Sequence, residues 1–157
     1  MKRYVQLSAL LAAIIFTQTA CASNNGSVSE FPDVRDKDWK LMEVRAAKDI
    51  IFERGMLPQE GLNDVFTLRF DGERVSGVGC PNRYFAPYTL AEKQSIDIKP
   101  IAGTLMAALF EPEQLKEREY FNYLENAVEW NIVKGNLELR SKNSEGKTVF
   151  LVFSSAN

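Results

Sequence analysis

Chemistry in a protein needs a nucleophile, a proton shuttle or a cluster of metal ligands, and this sequence is short of all three. It has no histidine and only two cysteines, Cys21 and Cys80. Without histidine the commonest general base, the usual activator of serine or cysteine, and the commonest metal ligand are gone together. The two cysteines lie too far apart in sequence for a zinc-type spacing. Cys80 has no base to ionise it and no adjacent helix start, so it reads as a small hydrophobe packed behind a loop. The carboxylates Glu111, Glu113, Glu117, Glu119, Glu125 and Glu129 could do acid–base or cation chemistry if several converged. Interleaved with Lys116 and Arg118, they read instead as the solvated face of a helix.

The most conformationally demanding stretch is residues 77–88, Gly-Val-Gly-Cys-Pro-Asn-Arg-Tyr-Phe-Ala-Pro-Tyr. Gly77 and Gly79 relieve steric limits on the backbone, while Pro81 and Pro87 fix φ and delete donors, so the stretch reads as a strand ending in a shaped loop. Tyr84, Phe85 and Tyr88 give that loop aromatic surface to pack. Arg83 with Tyr84 and Tyr88 would form a ligand or partner patch, since Arg and Tyr are prominent at interface hot spots. Alternatively, Asn82 and Arg83 tie the loop to backbone carbonyls. The working surface is expected over residues 82–88 rather than on the acidic helix.

The elements that must position these residues begin after a leader. Residues 1–21 read as a secretory signal, with Lys2 and Arg3 ahead of an apolar run over 7–16 that only Ser8 interrupts. The run is too short for a stop-transfer helix. Its exit, Thr17-Gln18-Thr19-Ala20-Cys21, resembles the lipobox of bacterial lipoproteins, although Gln18 stands where Leu is usual. That resemblance makes Cys21 the lipid attachment site of a palmitoylated lipoprotein, and the absence of Asp at Ala22 resembles the pattern that permits export to an outer membrane. Ordinary cleavage after Ala22, with Ala20-Cys21-Ala22 as the site, is the other reading. Residues 22–37 are too polar to fold alone and read as a flexible tether, holding a domain on the order of 20 Å from a membrane. The net charge of −2 falls further when Lys2 and Arg3 leave, so charge attracts neither nucleic acid nor an anionic bilayer.

A single domain is expected over 38–154, within a chain of 157 residues. Residues 39–46 read as a strand, 50–52 as its continuation, and 54–63, with Gly55, Pro58 and Gly61, as a loop. Phe66, Leu68 and Phe70 share one strand face, and Asp71-Gly72 then marks a hairpin into a strand over 74–79. A strand to Leu90 and another over 95–98 precede Pro100. The apolar run 101–110 reads as core rather than as the lining of an acyl-chain cavity. Glu111-Pro112 opens a helix to about Ala127, with Tyr120, Phe121, Leu124, Ala127 and Val128 as its buried stripe and Glu117, Arg118, Asn122 and Glu125 outside it. Three strands follow over 129–133, 137–141 and 148–153, the last apolar on both faces and so central.

This order of elements and motifs resembles the META domain family, the HslJ-like proteins of bacterial envelopes, over about residues 38–153. Trp39 matches a Trp near the first strand. Gly77, Gly79, Cys80, Asn82, Arg83, Tyr84 and Tyr88 match a Gly-x-Gly-Cys-Asn-Arg-aromatic stretch that ends in Tyr, with Pro81 as an extra residue. Thr104, Leu105, Met106 and Ala107 match a Thr-x-Met-Ala-Cys segment, with Ala108 in place of its cysteine. Glu119, Tyr120, Phe121 and Leu124 match a late helix, and Gly135, Leu137 and Leu139 a closing hairpin. The resemblance implies an α+β fold, a strongly bent antiparallel sheet forming a half-open or cracked barrel around one main helix. It also implies structural roles for Gly77, Gly79, Cys80, Thr104 and Met106, and no intradomain disulfide.

Members of the family are often outer-membrane lipoproteins or are linked to heat shock and drug tolerance, and some relatives by fold are lipid-binding pilots of secretion systems. No catalytic residue set transfers. The expectation is a noncatalytic, cofactor-free envelope lipoprotein, a binding or stress-response module for a hydrophobic ligand or a partner protein, with Asn82, Arg83, Tyr84 and Tyr88 as its surface. The alternative is a secreted hydrolase working through carboxylates, which needs two close acids, one with a raised pKa. The sequence pattern contains no inward-pointing pair.

Overall fold

The computed structural model describes residues 30–58 and 62–156. The signal, Cys21 and residues 22–29 of the tether lie outside the described residues. The strands are β1 (Asp38–Ala46), β2 (Asp49–Glu53), β3 (Thr67–Phe70), β4 (Arg74–Val78), β5 (Arg83–Ala91), β6 (Ser95–Ile98), β7 (Ala102–Gly103), β8 (Glu129–Val133), β9 (Asn136–Lys142) and β10 (Thr148–Ser155). The helix α1 spans Glu117–Glu125 between β7 and β8.

All pairings are antiparallel, and neighbours run β10-β9-β8-β6-β5-β4-β3-β1. Strand β1 then pairs back onto β10 from Trp39↔Ser155 to Arg45↔Phe150, with a bulge between Leu41 and Glu43. The sheet is therefore a closed eight-stranded barrel, not the half-open one expected. A free β1 edge would expose a row of unpaired N–H and C=O groups, and β10 is long enough to cover it. Strand β2 hangs from the second half of β1, and β7 from the start of β5. The thinnest join is β6 to β8, a single register pair, Ser95↔Glu129.

Alternation decides which side chains fill the barrel. Trp39, Leu41 and Val44 of β1, Tyr84, Ala86 and Tyr88 of β5, Leu137 and Leu139 of β9, and Val149, Leu151 and Phe153 of β10 are buried. Strand β10 is central between β9 and β1, but only one of its faces is core. Phe150 and Val152 are half-buried on the outside, where the Arg45 guanidinium covers the Phe150 ring at 5.4 Å.

The expected tether ends earlier than residue 37. Phe31–Asp33 is a short 3₁₀ turn whose Phe31 ring packs 5.3 Å from Phe70, 5.5 Å from Tyr88 and 5.2 Å from Trp130. Val34 is fully buried, and its carbonyl accepts the Trp39 indole N–H at 2.9 Å. Two apolar residues within a polar stretch are lost in its average composition, yet they join the core.

The helix is also shorter than its apolar pattern suggests. Lys116 is extended, and helix begins at Glu117, whose N–H donates to Glu111 Oε1 at 2.7 Å. Its buried face is Tyr120, Tyr123 and Leu124, while Phe121 is half-buried and Val128 exposed. Tyr120 packs 5.1 Å from Phe66 and its hydroxyl donates to Thr67 O at 3.1 Å. Ser141 of β9 donates to Tyr123 O at 2.6 Å, which ties the helix to the opposite side of the sheet.

Candidate functional site

Strands β4 and β5 are joined by Gly79, Cys80, Pro81 and Asn82, closed by Gly79 N–H donating to Asn82 O at 2.7 Å. The expected long loop over 77–88 is thus a four-residue turn, because the alternation of β5 begins at Arg83. The turn is held by Glu117. Its Oε1 accepts the Cys80 N–H at 2.6 Å and the Asn82 N–H at 2.7 Å, and its Oε2 accepts the Asn82 side-chain amide at 2.7 Å. Asn82 Oδ1 accepts the Thr104 hydroxyl and the Met106 N–H, each at 2.7 Å. One carboxylate and one amide therefore join the turn, the helix start and the segment after β7, through charge-assisted bonds of the stronger kind.

Gly77 and Gly79 are needed for close approach, since neither has a positive φ. A Cβ at Gly77 would stand 2.0 Å from Thr67 O. At Gly79 it would stand 2.5 Å from Glu117 Oε1 and 2.8 Å from the Phe121 ring. The close backbone and side-chain approach at these positions is what excludes larger residues.

The surface expected over 82–88 is mostly interior. Asn82 is buried, and Tyr84 and Tyr88 are 3% and 8% exposed. Tyr84 donates to Thr67 O at 2.8 Å and meets the Tyr120 hydroxyl at 3.2 Å; Tyr88 donates to Asp71 O at 2.7 Å. Of the four residues, only Arg83 faces solvent, beside the exposed Phe85. Burial pushes the Tyr84 and Tyr120 hydroxyls well above the ordinary tyrosine range, so the pair stays neutral. Cys80 is a buried free thiol whose pKa is raised, first by burial and then by Glu117 and Glu111. It is not poised as a nucleophile.

The carboxylates are not simply a solvated face. Besides Glu117, Glu111 caps the helix start, Glu125 Oε1 accepts the Ile101 N–H at 2.7 Å, and Glu119 accepts the Tyr123 hydroxyl. They brace neighbouring segments. Both oxygens of Glu117 accept the protein's own N–H groups. Among the described residues no three His, Cys, Asp or Glu side chains form a metal-ligating group. The sequence reading missed Glu117, although it stands three, four and seven residues before Tyr120, Phe121 and Leu124 and so shares the buried stripe. A carboxylate on that stripe was the available signal.

The run 101–110, expected as core, is largely outside. Leu105 and Leu109 are 101% and 106% exposed, and Met106 and Phe110 are 62% and 52% exposed. Asn82 fixes this segment at Met106, and among the described residues no second layer covers it. Behind it lies a hollow of about 610 Å³, lined by Leu62, Val65, Cys80, Met106, Leu109 and Phe110 among others, with no charged side chain among the described residues. Its volume is in the range of small-molecule sites. A second hollow of about 620 Å³ lies outside β3, β4 and β5. There Arg69 pairs with Asp38 at 3.2 Å and Lys40 with Asp64 at 3.5 Å. Arg74 and Arg83 have no carboxylate partner among the described residues.

A closed antiparallel barrel braced by one helix, with a glycine turn stapled to the helix start, defines a class of small β-rich domain. The sequence matches the META domain over residues 32–155, and the chain belongs to that family. The fold is similar to the NMR structure of a protein from Burkholderia xenovorans, at 18% identity and a TM-score of 0.56, covering 98% of this chain and 99% of that one. It is also similar to the crystal structure of a duf4847 family protein from Bacteroides vulgatus ATCC 8482, at 11% identity and a TM-score of 0.55, covering 79% of this chain and 95% of that one. At these identities the likeness is of fold alone. None of the curated proteins matches the chain. Among the described residues no helix is long and apolar enough to cross a membrane.

Proposed function

We propose that this META domain is a noncatalytic binding module, carried on a chain that Cys21 anchors by lipid to the bacterial envelope, at the outer membrane. Its site is the apolar-lined hollow behind residues 104–110, and its ligand is hydrophobic, either an acyl chain or the apolar side chains of a partner protein. The observation that carries this reading is the exposure of Leu105, Met106, Leu109 and Phe110 on a segment whose Met106 is held in place by Asn82. A hydrophobic surface held ready in one conformation loses less entropy on binding than a floppy one. Contiguous exposed apolar surface on a soluble domain marks a protein, membrane or ligand contact.

The test is saturable binding of an environment-sensitive fatty-acid analogue, together with cross-linking in the envelope. Met106→Glu and Phe110→Glu, each first shown to melt near the parent, should weaken analogue binding about tenfold or more, the effect of placing a charge in an apolar site. A parent protein that neither binds the analogue nor captures a partner through this segment would sink the proposal. The anchor is tested separately by metabolic labelling with a fatty-acid analogue. Labelling that survives Cys21→Ser would refute it.

A further inference from the structure

The hollow does not account for the whole segment that covers it. Leu109 lines its rim, but Leu105 does not, and Leu105 is fully in solvent. We infer that residues 104–110 form a membrane-contact loop that lays its crest on a phospholipid bilayer, with Arg83 and Arg74 seated at the headgroup phosphates.

The composition of the crest is the first support. From Leu105 to Phe110 it reads Leu, Met, Ala, Ala, Leu, Phe, without a charge. Its backbone limits how deep it can go. Thr104 N–H donates to Arg83 O at 3.0 Å and Met106 N–H to Asn82, but the N–H groups of Leu105, Ala107, Ala108 and Leu109 have no partner among the described residues. Hydrocarbon does not tolerate such a backbone. The side chains therefore dip in while the backbone stays among headgroups and water, as in a shallow interfacial anchor.

The flank supplies the second support. Strand β5 presents Arg83 and Phe85 outward, and they share a shallow hollow with Ala102, Gly103 and Thr104. The Arg74 guanidinium lies 5.9 Å from the Phe85 ring. Arginines with apolar stems along the surface and unpaired heads suit a headgroup layer. Most neighbouring acids are engaged: Glu117 holds the turn, Glu111 caps the helix, Asp38 pairs with Arg69, Asp64 with Lys40, and Asp71 accepts the Glu73 and Arg74 N–H groups, leaving Glu73 and Glu113 exposed. Phosphate is present on zwitterionic and anionic lipids alike, so the contact does not depend on the acidic net charge of the domain.

The lipid anchor is compatible with this placement. The chain from Cys21 to Phe31 spans at most ~35 Å. Phe31 packs on Tyr88, five residues along β5 from Arg83, or ~17 Å. A single acyl chain binds a bilayer marginally, and a second contact on the same chain strengthens it. This clause rests on the reading of Cys21, whereas the loop contact does not.

The test uses the full chain carrying Leu109→Trp and vesicles of phosphatidylcholine brominated either near the headgroup or near the end of the acyl chains. Trp39 and Trp130 are buried, so the new indole reports the loop, and anchoring through Cys21 alone leaves it unquenched. The expected result is blue-shifted emission, quenched strongly by shallow bromines and weakly by deep ones. Adding Leu105→Asp, or Arg74→Glu with Arg83→Glu, should weaken vesicle binding through the loop about tenfold. An indole that stays unquenched while the protein floats with the vesicles overturns the inference. So does one quenched more by deep bromines, or one shielded only by a protein from envelope extract. The fatty-acid analogue assay on the Leu105→Asp chain separates this inference from the binding reading. A Leu105→Asp chain that still binds the analogue but no longer docks on vesicles supports the inference, and shows that the loop and the hollow fail independently.

Discussion

At the scale of single residues, Glu117 and Asn82 together hold the turn, the helix start and the segment after β7. Glu117 accepts three N–H groups from the Cys80–Asn82 turn, and its replacement leaves those donors short of partners. Glu117→Ala should therefore lower the unfolding free energy by about 3 kcal/mol in urea. Gly79→Ala acts on the same contact, because its Cβ would displace the Glu117 carboxylate. The two changes together should cost clearly less than their sum, and full additivity in the double-mutant cycle would contradict the shared mechanism. Gly77→Ala meets rigid backbone instead, at Thr67 O, and should cost about 3 kcal/mol through overpacking. Melting temperatures unchanged in both glycine variants would mean that the turn is slack.

At the scale of elements, the join between β3, β5 and α1 is a pair of tyrosines. Tyr84 and Tyr120 both reach Thr67 O, and both are fully neutral in the folded state because burial opposes ionisation. Their folded pKa values lie above the unfolded value of 10.0. The stability they contribute is present in full below about pH 10 and is lost as pH rises from there toward the folded values. Unfolding free energy should then fall above about pH 10 by up to ~1.4 kcal/mol per pH unit for each tyrosine. Tyr84→Phe, which keeps the ring and removes the ionisation, should flatten that slope. A slope unaltered by the substitution would place the alkaline loss elsewhere.

At the scale of the whole molecule, closure of the barrel and the plug at its N-terminal end decide where the domain starts. Phe31 contacts Phe70, Tyr88 and Trp130, which lie on β3, β5 and β8, so one ring bridges three parts of the barrel wall. Phe31→Ala should cost about 3–4 kcal/mol, the usual loss for deleting a buried aromatic. If residues before Asp38 were only a tether, the variant would melt like the parent. Thermal and urea unfolding of the variant decide between the two.

The sequence alone determined whatever depends on neighbours along the chain. Alternation of Phe66, Leu68 and Phe70, the Asp71-Gly72 hairpin, the closing hairpins and the family motifs all act over a few residues, and the absence of histidine limited the chemistry without any structure. Tertiary structure decided what depends on packing between distant segments. The glycines and prolines of 77–88 marked a shaped loop with Tyr84 and Tyr88 on its surface, and the pairing of β5 with β4 and β6 instead turned both rings into the interior. Glu117 took its role from a turn more than thirty residues away in sequence. The run 101–110 shows the limit most plainly. Apolar residues are core only where another layer covers them, and among the described residues nothing covers Leu105, Met106, Leu109 and Phe110.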